Sequence, residues 1–120
     1  MHILGASLSL FLGAAVFSTE APAQEQRLSG VEIKTALSDH TLQGMREDGK
    51  PWQQIFQKSG VTFYSAGSAQ SQGFWDVCGD QYCSQWPPNE SWACYDMAVE
   101  ADDYRFISAS GQRSSGKLLN

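Results

Sequence analysis

The groups able to do chemistry are concentrated in residues 73–95, which hold all three cysteines, three of the four tryptophans and the Pro87-Pro88 pair. In an oxidising compartment three cysteines form one disulfide and leave one thiol over. Strand register decides which pair forms. If Pro87-Pro88-Asn89-Glu90 is a hairpin loop, Trp86 opposes Ser91 and, counting back, Cys83 opposes Cys94 at a spacing a cross-strand bond spans. The competing Cys78–Cys83 pair lies out of line across a Gly79-Asp80 turn and strains a tight hairpin. The expected disulfide is Cys83–Cys94. Cys78 is then the free thiol: an inert half-buried side chain, a reactive nucleophile, a redox sensor, or an intermolecular link that makes a dimer. No His or Lys lies beside it in sequence to activate it. The nearest imidazole in spacing is the distant His40, so no metal set is expected, and no cofactor.

Catalytic sets are sparse. His2 falls in the leader described below, which leaves His40 as the only histidine general base, beside Asp39. A serine triad would need partners from elsewhere in the chain, and no strand-Gly-x-Ser-x-Gly-helix context supplies a nucleophile elbow. The plain reading of His40 is a solvated side chain past a helix end, where its charge suits the dipole. Asp76, Asp80, Glu90 and Asp96 gather around the hairpins, but turns, loops and the polar face of a strand account for each. Aromatics are the larger surplus. Trp52, Phe56, Phe63, Trp75, Tyr82, Trp86 and Phe106, with Val77, fit inward faces of a small sheet. Phe74, Trp92, Tyr64 and Tyr95 are harder to bury by alternation. Phe74, Trp92 and Tyr95 are the candidate binding residues, an apolar patch on the outer face of the hairpins.

These groups need strands to position them. From residue 41 onward, short β-prone runs alternate with turn signals every eight to twelve positions, the pattern of an antiparallel meander, barrel or sandwich. Strands are predicted at 41–46, 52–57, 61–65, 73–77, 82–86, 91–99 and 104–108, with an eighth at 117–119. Asp48-Gly49-Lys50-Pro51, Lys58-Ser59-Gly60, Gly79-Asp80, Ala101-Asp102-Asp103 and Ser110-Gly111 mark turns. Residues 66–72 read as a mobile loop and 111–116 as a frayed tail. Before the strands, residues 24–28 read as a loose leader and 28–37 as a short helix. Ser29 caps it, Glu32 completes a capping box, and Ile33, Ala36 and Leu37 share one face.

The N-terminus carries an address. Ile3 to Phe17 is an apolar and small-residue run, followed by Ala21-Pro22-Ala23. This matches a signal peptide with cleavage after Ala23, and the run is shorter than the roughly 20 residues that cross a bilayer. The expected organisation is a signal peptide at 1–23 and a single β-rich domain at 24–120, periplasmic or secreted, without membrane insertion after cleavage. The full chain has 8 basic and 13 acidic groups, −5; without Glu20 the balance is 8 against 12, −4. With no basic cluster, nucleic acid is not an expected partner. A chain of this size buries a limited fraction of its surface, which gives a disulfide a structural purpose.

At Gly73-x-Trp75, Cys83-x-x-Trp86 and Cys94-Tyr95, preceded by Asp48-Gly49-Lys50, the chain resembles small exported β-rich proteins of proteobacteria that have no assigned activity. The resemblance covers most of residues 24–120 and implies a periplasmic β-rich domain with a Cys83–Cys94 pair. Gly-x-Trp is also similar to the lipocalin first-strand triplet. Here it comes late in a shorter chain, so no ligand residues carry over.

The expected fold class is α+β, mainly antiparallel β: a short N-terminal helix on a meander or small barrel of seven to eight strands. The expected function is a non-enzymatic binding or interaction module of the cell envelope. Its partner would be protein, glycan or a small apolar ligand. The alternatives are a small hydrolase or thiol enzyme using His40 or Cys78, and a purely structural envelope protein.

Overall fold

Alternation of inward and outward side chains runs almost unbroken from His40 to Leu119, and the chain closes on itself as a barrel. The computed structural model describes residues 24–119; the expected signal peptide, 1–23, lies outside them. Nine strands form: β1 (Gln26–Arg27), β2 (His40–Met45), β3 (Pro51–Phe56), β4 (Val61–Ala66), β5 (Ala69–Cys78), β6 (Gln81–Gln85), β7 (Trp92–Glu100), β8 (Asp103–Ile107) and β9 (Arg113–Leu119). Each of β2 to β9 pairs antiparallel with the next, and β9 returns to pair with β2, from Thr41↔Leu119 to Gly44↔Gly116. The result is a closed eight-strand up-and-down barrel, an arrangement that leaves its own strands no free edge. β1 is an extra strand on β7, through Gln26↔Val99 and Arg27↔Ala98.

The single helix of the described residues, α1 (Gly30–Leu37), differs from the expected one. It begins after Ser29 rather than at Leu28, and it is not the first element, because residues expected to be a loose leader form β1. Its capping box is present: Ser29 Oγ accepts from the Glu32 N–H at 3.2 Å, and Glu32 Oε1 accepts from the Ser29 N–H at 2.8 Å. Ile33 and Leu37 are fully buried. Short as it is, α1 is held at both ends. The Gly30 N–H donates to Asp80 Oδ1 at 2.8 Å in the β5–β6 turn, and Asp39, just past the helix, donates its N–H to the Phe56 carbonyl. The helix thereby plugs the barrel end formed by the start of β2 and the β3–β4 and β5–β6 turns.

Three further expectations are corrected. Residues 66–72 are not a loop, because Gly67-Ser68 is a tight turn and β5 runs from Ala69. Its first four residues, Ala69 to Gln72, are all exposed, so they carry no hydrophobic signal while still pairing with β4. Residues 113–116 are not frayed, since they belong to the strand that closes the barrel. Phe63 faces outward and is 37% exposed, because Thr62, Tyr64 and Ala66 take the inward positions of β4.

Trp52, Phe56, Trp75, Tyr82 and Phe106 are inside as expected and form the core with Ile33, Leu37, Leu42 and Met97. Phe56 sits at its centre, edge-on to Trp75 and Tyr82 with ring centroids 5.7 and 5.8 Å away. Lys34 of the plug lies 5.3 Å over the Trp75 ring. Apart from Trp52 and Phe106, which lie nearer the opposite rim, this filled half occupies the barrel from the helix to about the level of Gln54 and Tyr82.

Candidate functional site

Beyond that level the barrel is not filled. Inward positions near the opposite rim carry Gln54, Tyr64, Ser84, Trp86, Tyr95 and Phe106, which enclose a cup of about 330 Å³. A wider recess of about 520 Å³ adjoins it and shares Gln54, Tyr64, Phe106 and Ser114; it reaches the rim at Met45, Arg113 and the charged run Arg46, Glu47 and Asp48. The cup's size matches the lower range of small-molecule sites.

Glycines set the walls. A Cβ on Gly73 would come 2.7 Å from Trp86 Cε3 and 2.4 Å from the Gln85 carbonyl oxygen, so the indole of Trp86 lies flat against bare backbone. Trp52 is seated in the same way against Gly44, where a Cβ would come 2.6 Å from its ring. Pairing large with small side chains lets a narrow barrel take two indoles. Tyr64 bridges the seated rings, stacked on Trp52 at 6.0 Å and edge-on to Trp86 at 6.3 Å. Tyr95 and Phe106 form the opposite wall, edge-on at 6.4 Å.

The polar groups of the cup form a network. Gln54 Nε2 donates to Thr62 Oγ1 at 3.0 Å and to the Tyr82 hydroxyl at 2.9 Å, and Thr62 Oγ1 donates to the Ile55 carbonyl at 2.8 Å. The Trp86 indole N–H donates to Ser84 Oγ at 3.1 Å. Both Gln54 amide hydrogens are therefore committed, while its Oε1 accepts from no group among the described residues. No buried side-chain nitrogen or oxygen there lacks a partner, so this oxygen keeps its access from the cup. Gln54 itself is 7% exposed. Burial pushes the Tyr82 hydroxyl up to about 12, opposed by hydrogen bonds from Ser84 and Gln54. The cup is thus uncharged at neutral pH, with aromatic walls; Gln54 Oε1 is the open acceptor on its buried side, and the exposed hydroxyls of Ser71 and Ser114 stand at its mouth.

The residues singled out in the sequence do not converge on this cup. Phe74 and Trp92 are on the outer wall, 42% and 47% exposed, each paired with Gln85 on the strand between them. Tyr95 does not join them: three residues on from Trp92, it faces inward opposite Tyr82 and lines the cup. His40 is the exposed first residue of β2, at the plugged end, with Nδ1 2.9 Å from the Ser38 carbonyl. Gln54, Ser84 and the seating glycines were missed. The signal for Gln54 was present, a glutamine on the apolar parity of Trp52 and Phe56.

The Cys83–Cys94 disulfide is formed, on the predicted register. Cys78 is a free, exposed thiol rather than a half-buried one. Its Sγ and those of Cys83 and Cys94 all lie within 4.8 Å of one another. Disulfide bonding withdraws two of the three from metal ligation. Among the described residues no helix is long and apolar enough to cross a membrane.

Fold and site together define a class, the small closed antiparallel barrel with one end plugged and an aromatic cup at the other. Beyond the class, no protein-family description, curated protein or solved structure matches the chain.

Proposed function

We propose that this protein is a non-enzymatic binding module of the cell envelope, exported to the periplasm or beyond, whose cup takes a small, flat, uncharged organic ligand bearing one hydrogen-bond donor. The observation that carries the reading is Gln54: nine-tenths buried, with both amide hydrogens committed and its oxygen open to an aromatic cavity. A ligand N–H or O–H on that oxygen is the natural complement, because a ligand that fills the cup and shuts this acceptor off from water without supplying a donor pays the cost of an unsatisfied group. Flat rings suit the walls through offset or edge contacts with Tyr64, Trp86, Tyr95 and Phe106. No histidine, cysteine or carboxylate is among the described residues lining the cup, which favours binding over turnover. The disulfide supports an oxidising compartment.

Titration of tryptophan fluorescence with 2-naphthol, and with naphthalene as the probe lacking a donor, tests the reading. The expected result is binding of both, tighter for 2-naphthol by about 3- to 10-fold, the worth of one neutral hydrogen bond. Gln54→Leu should erase that preference, and Trp92→Ala on the outer wall should leave both affinities unchanged. No response to 2-naphthol at millimolar concentration, nor to naphthalene at its aqueous saturation, would sink the proposal.

A further inference from the structure

The free thiol sits beside the disulfide on one wall. Cys78 ends β5, paired with Gln81, and shares the outward parity of Asp76, which opposes Cys83; Cys83 in turn opposes Cys94. All three side chains are therefore on the outer face of β5, β6 and β7, with sulfurs within 4.8 Å of one another. Their access differs. Cys78 is exposed, Cys94 half-buried and Cys83 fully buried.

We propose that the three cysteines form a thiol–disulfide exchange centre, in which the free thiol migrates between Cys78 and Cys94. Thiolates attack disulfides through the sulfur they can reach, and the other sulfur leaves. Backbone placement selects the target. Cys78 and Cys94 are on strands separated by β6, and at about 4.8 Å per strand that is beyond the roughly 7 Å between Cα atoms that a disulfide bridges. Cys83 is on the adjacent strand, one diagonal step away at about 7–8 Å, at the edge of that reach, so its bond to Cys78 needs a small shift of the β5 end. The Cys78 thiolate attacks Cys83 Sγ, a Cys78–Cys83 bond forms and the Cys83–Cys94 bond breaks. Its electron pair stays on Cys94 Sγ, which takes up the proton Cys78 lost. One disulfide and one thiol exist before and after, so no outside oxidant or reductant is required.

The exchanged pair is less favourably placed than the direct Cys83–Cys94 pair, which lies squarely across two strands. What makes it reachable is the position of Cys78 in the last pair before the two-residue turn, where the ladder holds it from one side only. Cys83–Cys94 is the resting state and Cys78–Cys83 the minor one. The same exchange delivers a nucleophilic thiol to either of two positions on the wall.

The test uses the oxidised full-length protein at mildly alkaline pH, without reductant, trapped over time with an alkylating reagent. Acid quenching and cleavage at Asp80 and Glu90 then separate the three cysteines. The expected result is one label per molecule, on Cys78 in most and on Cys94 in a minority whose share is independent of protein concentration and disappears in Cys78→Ser. Labelling confined to Cys78 at all times overturns the proposal, as does Cys94 labelling that survives in Cys78→Ser. A second variant, Cys94→Ser, isolates the strained pair. Treated with diamide, it should lose the mass of two hydrogens and yield linked Cys78 and Cys83 peptides. A folded Cys94→Ser protein that keeps two free thiols also overturns the proposal; if that variant does not fold, the wild-type labelling decides.

Discussion

Two glycines determine whether the cup exists. Gly44 admits Trp52 because it has no Cβ, and Gly73 does the same for Trp86. A methyl group at Gly44 would meet the Ser115 carbonyl oxygen at 2.2 Å, where rigid backbone cannot yield easily. Gly44→Ala should therefore lose about 1–3 kcal/mol, the usual cost of overpacking, in urea unfolding. Glu25 is the second informative residue. It accepts hydrogen bonds from Arg105 and Arg113, which tie the leader across to β8 and β9. Those bonds, Arg113 first, hold its carboxyl down at about 2 against an ordinary 4.5. Because the folded value is depressed, its contribution to stability is complete above about 4.5 and is lost as pH falls toward 2. An NMR titration should place the Glu25 midpoint well below 4.5, and Arg113→Ala should raise it. The sequence displayed Gly73-x-Trp75 plainly, yet Gly73 seats Trp86, just past the end of the next strand, rather than its own neighbour. Residue types were legible; which indole meets which glycine depended on register between strands.

Among the elements, α1 shows most clearly how local signals and tertiary seating combine. Its capping box could be read directly from Ser29 and Glu32, and the box is there. Its seat could not, because it requires Gly30 to approach the β5–β6 turn: a Cβ there would lie 2.1 Å from the Gly79 carbonyl oxygen. An eight-residue helix has little stability of its own, so the seat matters more than the cap. Ser29→Ala should cost about 1 kcal/mol. Gly30→Ala should cost more despite alanine's better helix propensity, and should raise amide exchange at Ile33 and Leu37. Equal or smaller damage from Gly30→Ala would mean that the helix does not bear on the turn. The β-elements divide in a similar way. Where apolar alternation is strong, as in β3 with Trp52, Gln54 and Phe56 inside, the expected and observed strands agree closely. β5 and β9 were under-read, because their rim-side residues are Ala, Gln, Ser, Arg and Gly, with no buried apolar face to mark the period.

At the scale of the whole molecule, closure depends on β9 reaching β2, a pairing between the last and first barrel strands of the chain that no local pattern announces. Closure divides the interior into a dry half against α1 and an open half at the far rim, and Tyr82 stands between them. Its ring is in the core, 5.0 Å from Phe106, while its hydroxyl accepts from Gln54 in the cup network. That position has a consequence for the whole fold. Burial disfavours the phenolate and raises the hydroxyl from 10.0 to about 12, so between those values the folded protein holds a proton that the unfolded chain releases. Stability is therefore unaffected below about pH 10 and falls as pH rises toward 12. The loss is on the order of 2–3 kcal/mol if the whole shift is expressed. Tyr82→Phe removes the titrating group. It leaves one buried Gln54 amide hydrogen without its acceptor, so it should cost about 1–3 kcal/mol at neutral pH, and it should flatten the alkaline limb. Denaturant midpoints measured across that range check both parts. A variant that keeps the full alkaline loss would move its origin to another group, and with it the boundary between the core and the cup.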